Sequence, residues 1–290
     1  KRFVDLIKPK QAIFTKYEFW HHYFKVLNER KVPLYLISGI FRPNQVFFKW
    51  YGGFHRNILK NVTHFFVQNK ESVMLLKEIG MENVSLAGDT RLDRVYENAQ
   101  QPKKLELIEK FCGEAKIFIA GSTWLPDEKL LVALVEKYPD WKFIIAPHEI
   151  GQTHIEEIEE LFPKAIKFSV INSQLSENLP QILIIDNIGM LSSLYQYAKI
   201  AYIGGGFGVG IHNTLEAAAF GLPVIFGPKY DKFQEAKDLI EIGAAKSIFT
   251  EDELLNAFEY FKENEKASVV ARNYVEQKKG ATEMIVDFLV

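Results

Sequence analysis

Cysteine is almost missing from this chain. Cys112 is the single one among 290 residues, which excludes an internal disulfide and any cysteine-rich metal site and fits a reducing compartment. No Asp-x-Asp pair occurs, and no His or Cys cluster has metal-ligand spacing, so the usual acidic bridge between a metal ion and a phosphate is absent. No apolar run approaches the ~18 residues of a bilayer-spanning helix, and no secretory signal stands at Lys1. Internal repeats, low-complexity tracts and the G-x-G-x-x-G dinucleotide fingerprint are missing as well. What remains is a chain long enough for two domains of ordinary size, with 48% hydrophobic residues to build their cores.

The net charge of −2 hides an asymmetry. Residues 1–60 hold 12 Lys and Arg against three acids (Asp5, Glu18 and Glu29), a net of +9, so the other 230 residues carry −11. The basic part is crowded with aromatics, among them Phe3, Phe14, Trp20, Trp50, Tyr51 and Phe54. Basic charge interleaved with rings suits an anionic membrane surface or a nucleic acid; equally, it is a solvated basic face over an aromatic core. No nucleic-acid recognition motif accompanies the charge.

Along the chain, short apolar runs alternate with helical patterns, the signature of parallel sheets. In the first part, strands are expected at 11–15, 32–38, 64–68 and 84–87, with helices at 17–30, 45–59 and 70–79. The polar stretch 88–102 reads as a domain linker. Beyond it, strands are expected at 117–120, 142–146, 166–168, 182–185, 200–203, 223–226 and 244–249. Helices are expected at 103–111, 126–138, 153–162, 190–198, 212–220 and 233–242, and three more close the chain. This places an N-terminal domain at 1–101 and a C-terminal domain at 102–290.

One stretch organises the rest: GGGFGVGIHNTLEAAAFGLPVIFGP, Gly204 to Pro228. It reads as strand end, glycine loop, helix and strand. Glycines there let the backbone approach a ligand, and the N–H groups of the helix start suit a phosphate. Ligands of an open parallel sheet bind outside the carboxyl ends of its strands, and four polar or glycine-rich loops are expected on that rim. Ser122 and Thr123 offer hydroxyl and N–H donors, or cap the following helix. Pro147 and His148 follow a strand, with His148 facing phosphate or base, or else a structural residue. Ile188, Gly189 and Met190 form a backbone wall for a base ring, or a tight turn. Gly205 and Gly206 line the glycine loop. Asn213 and Glu216 sit three apart on one face of the 212–220 helix, where a carboxylate accepts both hydroxyls of a ribose diol.

HNTLEAAAFGLPVIFGP resembles the late nucleotide-sugar motif of GT-B glycosyltransferases. More narrowly, it resembles that of bacterial 3-deoxy-D-manno-octulosonic acid (Kdo) transferases, which read GG…GGHN-x-LE-x-AA-x-G-x-P-V-x-x-GP. Gly121-Ser122-Thr123 matches the family's AGST segment. Ala146-Pro147-His148 matches A-P-R-H without its arginine, and residues 186–190 match D-T-x-G-E-L with departures at Asn187 and Met190. Residues 16–20 resemble E-T-E-x-W, and 88–93 resemble G-N-x-K-x-D. The resemblance implies a GT-B fold, two Rossmann-like domains with parallel sheets facing a cleft, the N-terminal one incomplete. It also implies inverting transfer of Kdo from CMP-Kdo to a lipid A precursor in lipopolysaccharide synthesis, without metal or other cofactor. Glu18 aligns with a family carboxylate in the interdomain cleft and is the candidate catalytic group here. The family's general base, a glutamate of an early glycine loop, is expected to precede Lys1, so the chain as given is expected to bind nucleotide but turn over poorly. The implied setting is the cytoplasmic face of the inner membrane of a Gram-negative bacterium, with the protein peripheral or anchored by an earlier segment. No nucleic-acid partner is implied. A UDP-GlcNAc transferase or epimerase, or a non-catalytic nucleotide-sugar-binding module, fits the same glycine loop and Glu216.

Overall fold

A computed structural model describes residues 1–171 and 180–290. The chain forms two compact units, residues 1–94 with 278–290, and residues 95–277.

In the first unit, β1 (Ala12–Thr15), β2 (Leu34–Gly39), β3 (His64–Val67) and β4 (Val84–Leu86) pair in chain order and all in parallel. The ladder of β2 on β3 shifts between Leu36 and Gly39, where Ser38 takes a positive φ of 50°. The Ser38 hydroxyl there meets the Thr90 hydroxyl at 2.9 Å and accepts the Thr90 N–H at 3.1 Å. The aromatics divide. Phe24, Phe41, Phe47 and Phe65 are buried together, edge-on to one another where they touch. Phe3, Trp20, Trp50, Tyr51 and Phe54 stand exposed. The segment thus has the aromatic core of one reading, while other rings stay on its surface.

Among the described residues, the second unit carries seven parallel strands: β5 (Lys116–Thr123), β6 (Trp141–Pro147), β7 (Ile166–Lys167), β8 (Ile182–Ile184), β9 (Ile200–Ile203), β10 (Val224–Phe226) and β11 (Ala245–Ser247). Their order is β11-β10-β9-β5-β6-β8-β7. The strands β8, β9 and β10 are apolar runs buried from end to end, and β5 is buried from Ile117 to Gly121, as a sheet covered on both faces requires. From β5 the chain winds outward through β6, then returns to lay β9 on β5's other side. Leaving out the edge strand β7, this is the doubly wound order with its switch point between β5 and β9. Phe118, Phe143, Trp141 and Phe258 pack as one buried ring cluster beneath it. Cys112 is buried too, and desolvation pushes its thiol up to about 11, so it stays protonated.

Several helix boundaries differ from expectation. The division between the two units falls inside residues 88–102, as expected for the linker, but the stretch is largely helical. Thr90–Gln100 is a helix, started by Asp89, whose carboxylate accepts the Arg91 N–H at 3.0 Å, and anchored by buried Leu92 and Val95. The 45–59 helix is instead a 3₁₀ turn, Val46–Phe48, and a helix, Gly53–Leu59. Residue 52 must be glycine there, because a Cβ would lie 2.0 Å from the Val46 carbonyl oxygen. The 17–30 helix begins only at His21, and an additional helix, Arg2–Ile7, opens the chain. The last helix, Ala281–Leu289, groups with the first unit rather than the second. Asp93 caps it by accepting N–H groups from Gly280 and, at 2.8 Å, Thr282, and Phe288 lies against Tyr35, His64 and Phe66. Among the described residues no helix is long and apolar enough to cross a membrane.

Candidate functional site

The carboxyl ends of β5, β6, β9 and β10 bring four loops to one rim of the second unit, at the switch point. The loop after β5 leaves through Ser122, which is half-buried with a positive φ of 54°. Thr123 turns inward, fully buried, and its hydroxyl donates to Glu128 Oε1 at 2.7 Å. That hydroxyl is therefore engaged inside the fold, and of the expected Ser122–Thr123 pair only Ser122 is offered to the rim.

The helix Leu125–Lys137 carries Asp127 and Glu128 in its first turn, at its positive end. Both are buried. Asp127 Oδ2 accepts the Trp124 N–H at 2.9 Å and the Gly205 N–H at 3.0 Å, while Oδ1 accepts the Tyr202 hydroxyl at 2.7 Å. One carboxylate thus ties the helix start to β9 and the glycine loop. Glu128 meets Thr123 and, at 3.1 Å, His154 Nε2, and its other oxygen is buried without a partner. Desolvation raises its pKa, against the pull of the Thr123 hydroxyl and His154.

The glycine loop folds back on its own scaffold. A Cβ on Gly206 would lie 2.6 Å from the Gly227 Cα, and one on Gly205 (φ 90°) would lie 2.6 Å from the Gly210 carbonyl oxygen. Both glycines are buried and serve backbone packed on backbone. The loop tip is exposed at Val209. Lys229, after β10, clasps the loop: its N–H donates to the Gly206 carbonyl at 3.0 Å, its carbonyl accepts the Ile211 N–H at 3.2 Å, and its ammonium donates to the Gly208 carbonyl at 2.6 Å.

The helix after the loop is shorter than the expected 212–220, running Leu215–Ala219. Residues 211–213 return the chain to the sheet, with the His212 N–H on the Gly204 carbonyl at 3.1 Å. Asn213 precedes the helix. Its Oδ1 accepts the Leu215 N–H at 3.2 Å, and its Nδ2 donates to Glu216 Oε1 at 3.0 Å. The two residues are together, half-buried, but through a turn just before the helix and a side-chain hydrogen bond rather than a shared helical face.

Beside them lies a cluster of three rings. His148, exposed after β6, stacks on His212 with centroids 4.2 Å apart and planes 23° apart. Trp124 lies 4.9 Å from His148, and its indole N–H donates to His212 Nε2 at 3.3 Å. Burial lowers the pKa of His212 first, the charge of His148 lowers it further, and Asp127 opposes both. The His148 N–H is held by the Thr123 carbonyl at 2.9 Å, and Pro147 pairs with Thr123 in the sheet. Ile188, Gly189 and Met190 follow β8, farther along the same edge: Ile188 is 86% exposed, Gly189 takes a positive φ of 91°, and Met190 precedes the short helix Leu191–Leu194. Asp186 at the head of that loop is held by the Ser169 N–H at 2.9 Å and by its hydroxyl.

In the first unit, Glu18 stands exposed in the turn after β1 and accepts the Trp20 indole N–H. Lys16, in the same turn, lies 3.8 Å from buried Asp89. Sequence reasoning missed Trp124, Asp127, Glu128, His212 and Lys229. Trp124 and Asp127, three residues apart, carry a helix-start spacing that could have been found.

Two Rossmann-like units with parallel sheets define the class, an α/β protein of GT-B type, and comparison with solved structures agrees. A UDP-GlcNAc 2-epimerase from Neisseria meningitidis bound to UDP-GlcNAc is similar with a TM-score of 0.64 at 16% identity, over 99% of this chain and 78% of that one. The C-terminal CMP-Kdo binding domain of WaaA from Acinetobacter baumannii is similar with a TM-score of 0.51 at 19% identity, over 64% of this chain and 99% of that one. Within the class the relationship is narrower. Residues 1–94 match the family model described as 3-deoxy-D-manno-octulosonic-acid transferase (kdotransferase). The chain is 28% identical over 274 residues to the 3-deoxy-D-manno-octulosonic acid transferase of Rickettsia bellii, and 28% identical over 262 residues to that of Aquifex aeolicus. These alignments take in 90% and 88% of this chain but 63% and 66% of those relatives, so the chain spans a little under two thirds of their length. The chain is similar to the Kdo transferases, as its motifs indicated.

Proposed function

We propose that this protein is a glycosyltransferase that moves Kdo, with inversion, from CMP-Kdo to a lipid A precursor at the cytoplasmic face of the inner membrane. The observation that carries this reading is the rim at the β5–β9 switch point, where Asn213 and Glu216 stand beside a ring cluster and a donor-bearing turn, in a chain related to Kdo transferases. Glu216 takes the ribose diol, exchanging its Asn213 hydrogen bond for two hydroxyls. Ser122 and His148 face the phosphate that leaves with CMP, and fixed donors there stabilise the charge that develops on it. Ile188, Gly189 and Met190 border the base. The reading needs no metal. Glu18 is the acceptor-side carboxylate, and a base is required to deprotonate the acceptor hydroxyl. Exposed Phe3, Trp20, Trp50 and Phe54 with the surrounding lysines meet the lipid surface.

Calorimetry of the chain with CMP, UDP and GDP tests the donor. Binding selective for CMP is expected. Preference for UDP would transfer the site to the UDP-GlcNAc enzymes, and no binding would remove the reading. A double-mutant cycle places the ribose. Glu216→Gln and removal of the ribose 2′- and 3′-hydroxyls should each weaken CMP by roughly tenfold, in the range of a hydrogen bond to a charged group, and together little more than either alone.

A further inference from the structure

We propose that His148 takes up one proton when a nucleotide phosphate settles on this rim, while His212 stays neutral beneath it. The inference rests on the nucleotide-binding reading above and adds the charge state in which the site works.

The geometry separates the two imidazoles. His212 Nε2 accepts the Trp124 indole N–H at 3.3 Å. A proton on that nitrogen would set two donors against each other, so His212 is held as the neutral tautomer with its proton on Nδ1. Gly205 packs against the same edge of the ring: a Cβ there would come within 2.9 Å of His212 Cδ2. Asp127 is the carboxylate behind this pair, but its oxygens are already filled by two backbone N–H groups and the Tyr202 hydroxyl.

His148 has none of these restraints on its ring. Its backbone is fixed by the Thr123 carbonyl, its side chain is exposed, and its faces see His212 at 4.2 Å and Trp124 at 4.9 Å. An imidazolium there lies against two π systems, a favourable place for a cation. From its own loop the neighbouring charge is Glu149, and from the packed elements the titratable groups are His212 and, behind it, Asp127. Imidazole is the side chain whose ordinary charge change falls between pH 5 and 8. An anion placed beside it favours the charged form, so binding draws one proton from solvent.

The test is calorimetry with the methyl phosphodiester of CMP, whose phosphate has no proton of its own to exchange between pH 6 and 8, in buffers of different ionisation enthalpy. Close to one proton taken up is expected at the alkaline end, with affinity falling by up to about tenfold per pH unit, the limit for one linked proton. His148→Gln should bind more weakly, with no uptake and no pH slope, whereas His212→Gln should keep the uptake. Wild-type binding with constant affinity and no uptake overturns the inference and leaves the nucleotide reading standing. Uptake lost in His212→Gln but kept in His148→Gln overturns it too, by moving the proton to the other ring. No binding at any pH overturns the nucleotide reading itself. The wild-type buffer series decides the matter even if a variant fails to fold.

Discussion

Glu128 is a residue whose environment sets a measurable pH dependence. It is fully buried, one oxygen lacks a partner, and desolvation is the largest influence on it, so its folded-state pKa lies above the unfolded value. The folded chain then holds a proton that the unfolded chain has released. Stability falls as pH rises from the unfolded carboxylate pKa through the folded one, and the penalty is complete above the latter. Thr123→Val removes the hydroxyl that helps to hold the charge. It should cost about 1–3 kcal/mol, the penalty for a buried group left without its partner, and push Glu128 further up. In urea unfolding, the gap between wild type and Thr123→Val should be wider at pH 8 than at pH 5; an equal gap at both would mean that Glu128 does not titrate with the fold. Asp127 needs a different argument, because its oxygens are saturated by three donors. Asp127→Ala strands those donors and should cost roughly 3 kcal/mol or more, while Asp127→Asn keeps an acceptor for the two N–H groups and should cost about 1 kcal/mol. Equilibrium unfolding of the two variants separates them.

At the scale of the element, the glycine loop divides into glycines that carry the fold and one that does not. Gly206→Ala drives a methyl into the Gly227 backbone, where nothing can give, so the loop must shift. Overpacking of that kind costs about 1–3 kcal/mol, and CMP binding should be lost with it. Gly208→Ala meets nothing nearer than 3.5 Å and should leave both stability and binding within error, so a loss of binding there would make the exposed tip part of the site. This contrast was not legible in the sequence, where all the glycines of 204–210 read as room for a ligand. The strands were legible because buried parallel strands are unbroken apolar runs, as in Ile200–Ile203 and Val224–Phe226. Asn213 and Glu216 were found as partners because three-residue spacing brings side chains together in a turn just before a helix as well as on one. The burial of Asp127 and Glu128 was not legible, because acids in a first helical turn look the same whether water or a buried loop takes their charge. His212 was named as the start of a helix, but its role comes from rings supplied by two other loops, a juxtaposition that only the sheet order creates. The Thr90–Gln100 helix was legible but overlooked: Leu92, Val95, Tyr96 and Ala99 follow the helical spacing i, i+3, i+4, i+7, and the polar residues between them form its outer face.

At the scale of the whole molecule, the charge asymmetry gives the proposed lipid contact a test. The first 60 residues carry +9, and in the first unit Leu6 and Ile7 of the opening helix stand exposed next to Lys8 and Lys10. Apolar side chains beside lysines are the composition that holds a protein at an anionic interface, each basic residue adding about 1 kcal/mol near the surface. Lys8 and Lys10 suit a charge-reversal test because both are exposed, whereas Lys16 is less so and pairs with Asp89. Replacing both by Glu should weaken binding to vesicles rich in phosphatidylglycerol by about 2 kcal/mol or more, roughly thirtyfold, and leave the affinity for CMP unchanged. Because the interaction is screened, wild-type binding should also fall steeply between 50 and 500 mM salt, on the order of the change in Debye length. Vesicle flotation reads both effects. Binding that ignores the two substitutions and the salt would assign the exposed rings and lysines of this unit to something other than an anionic lipid surface.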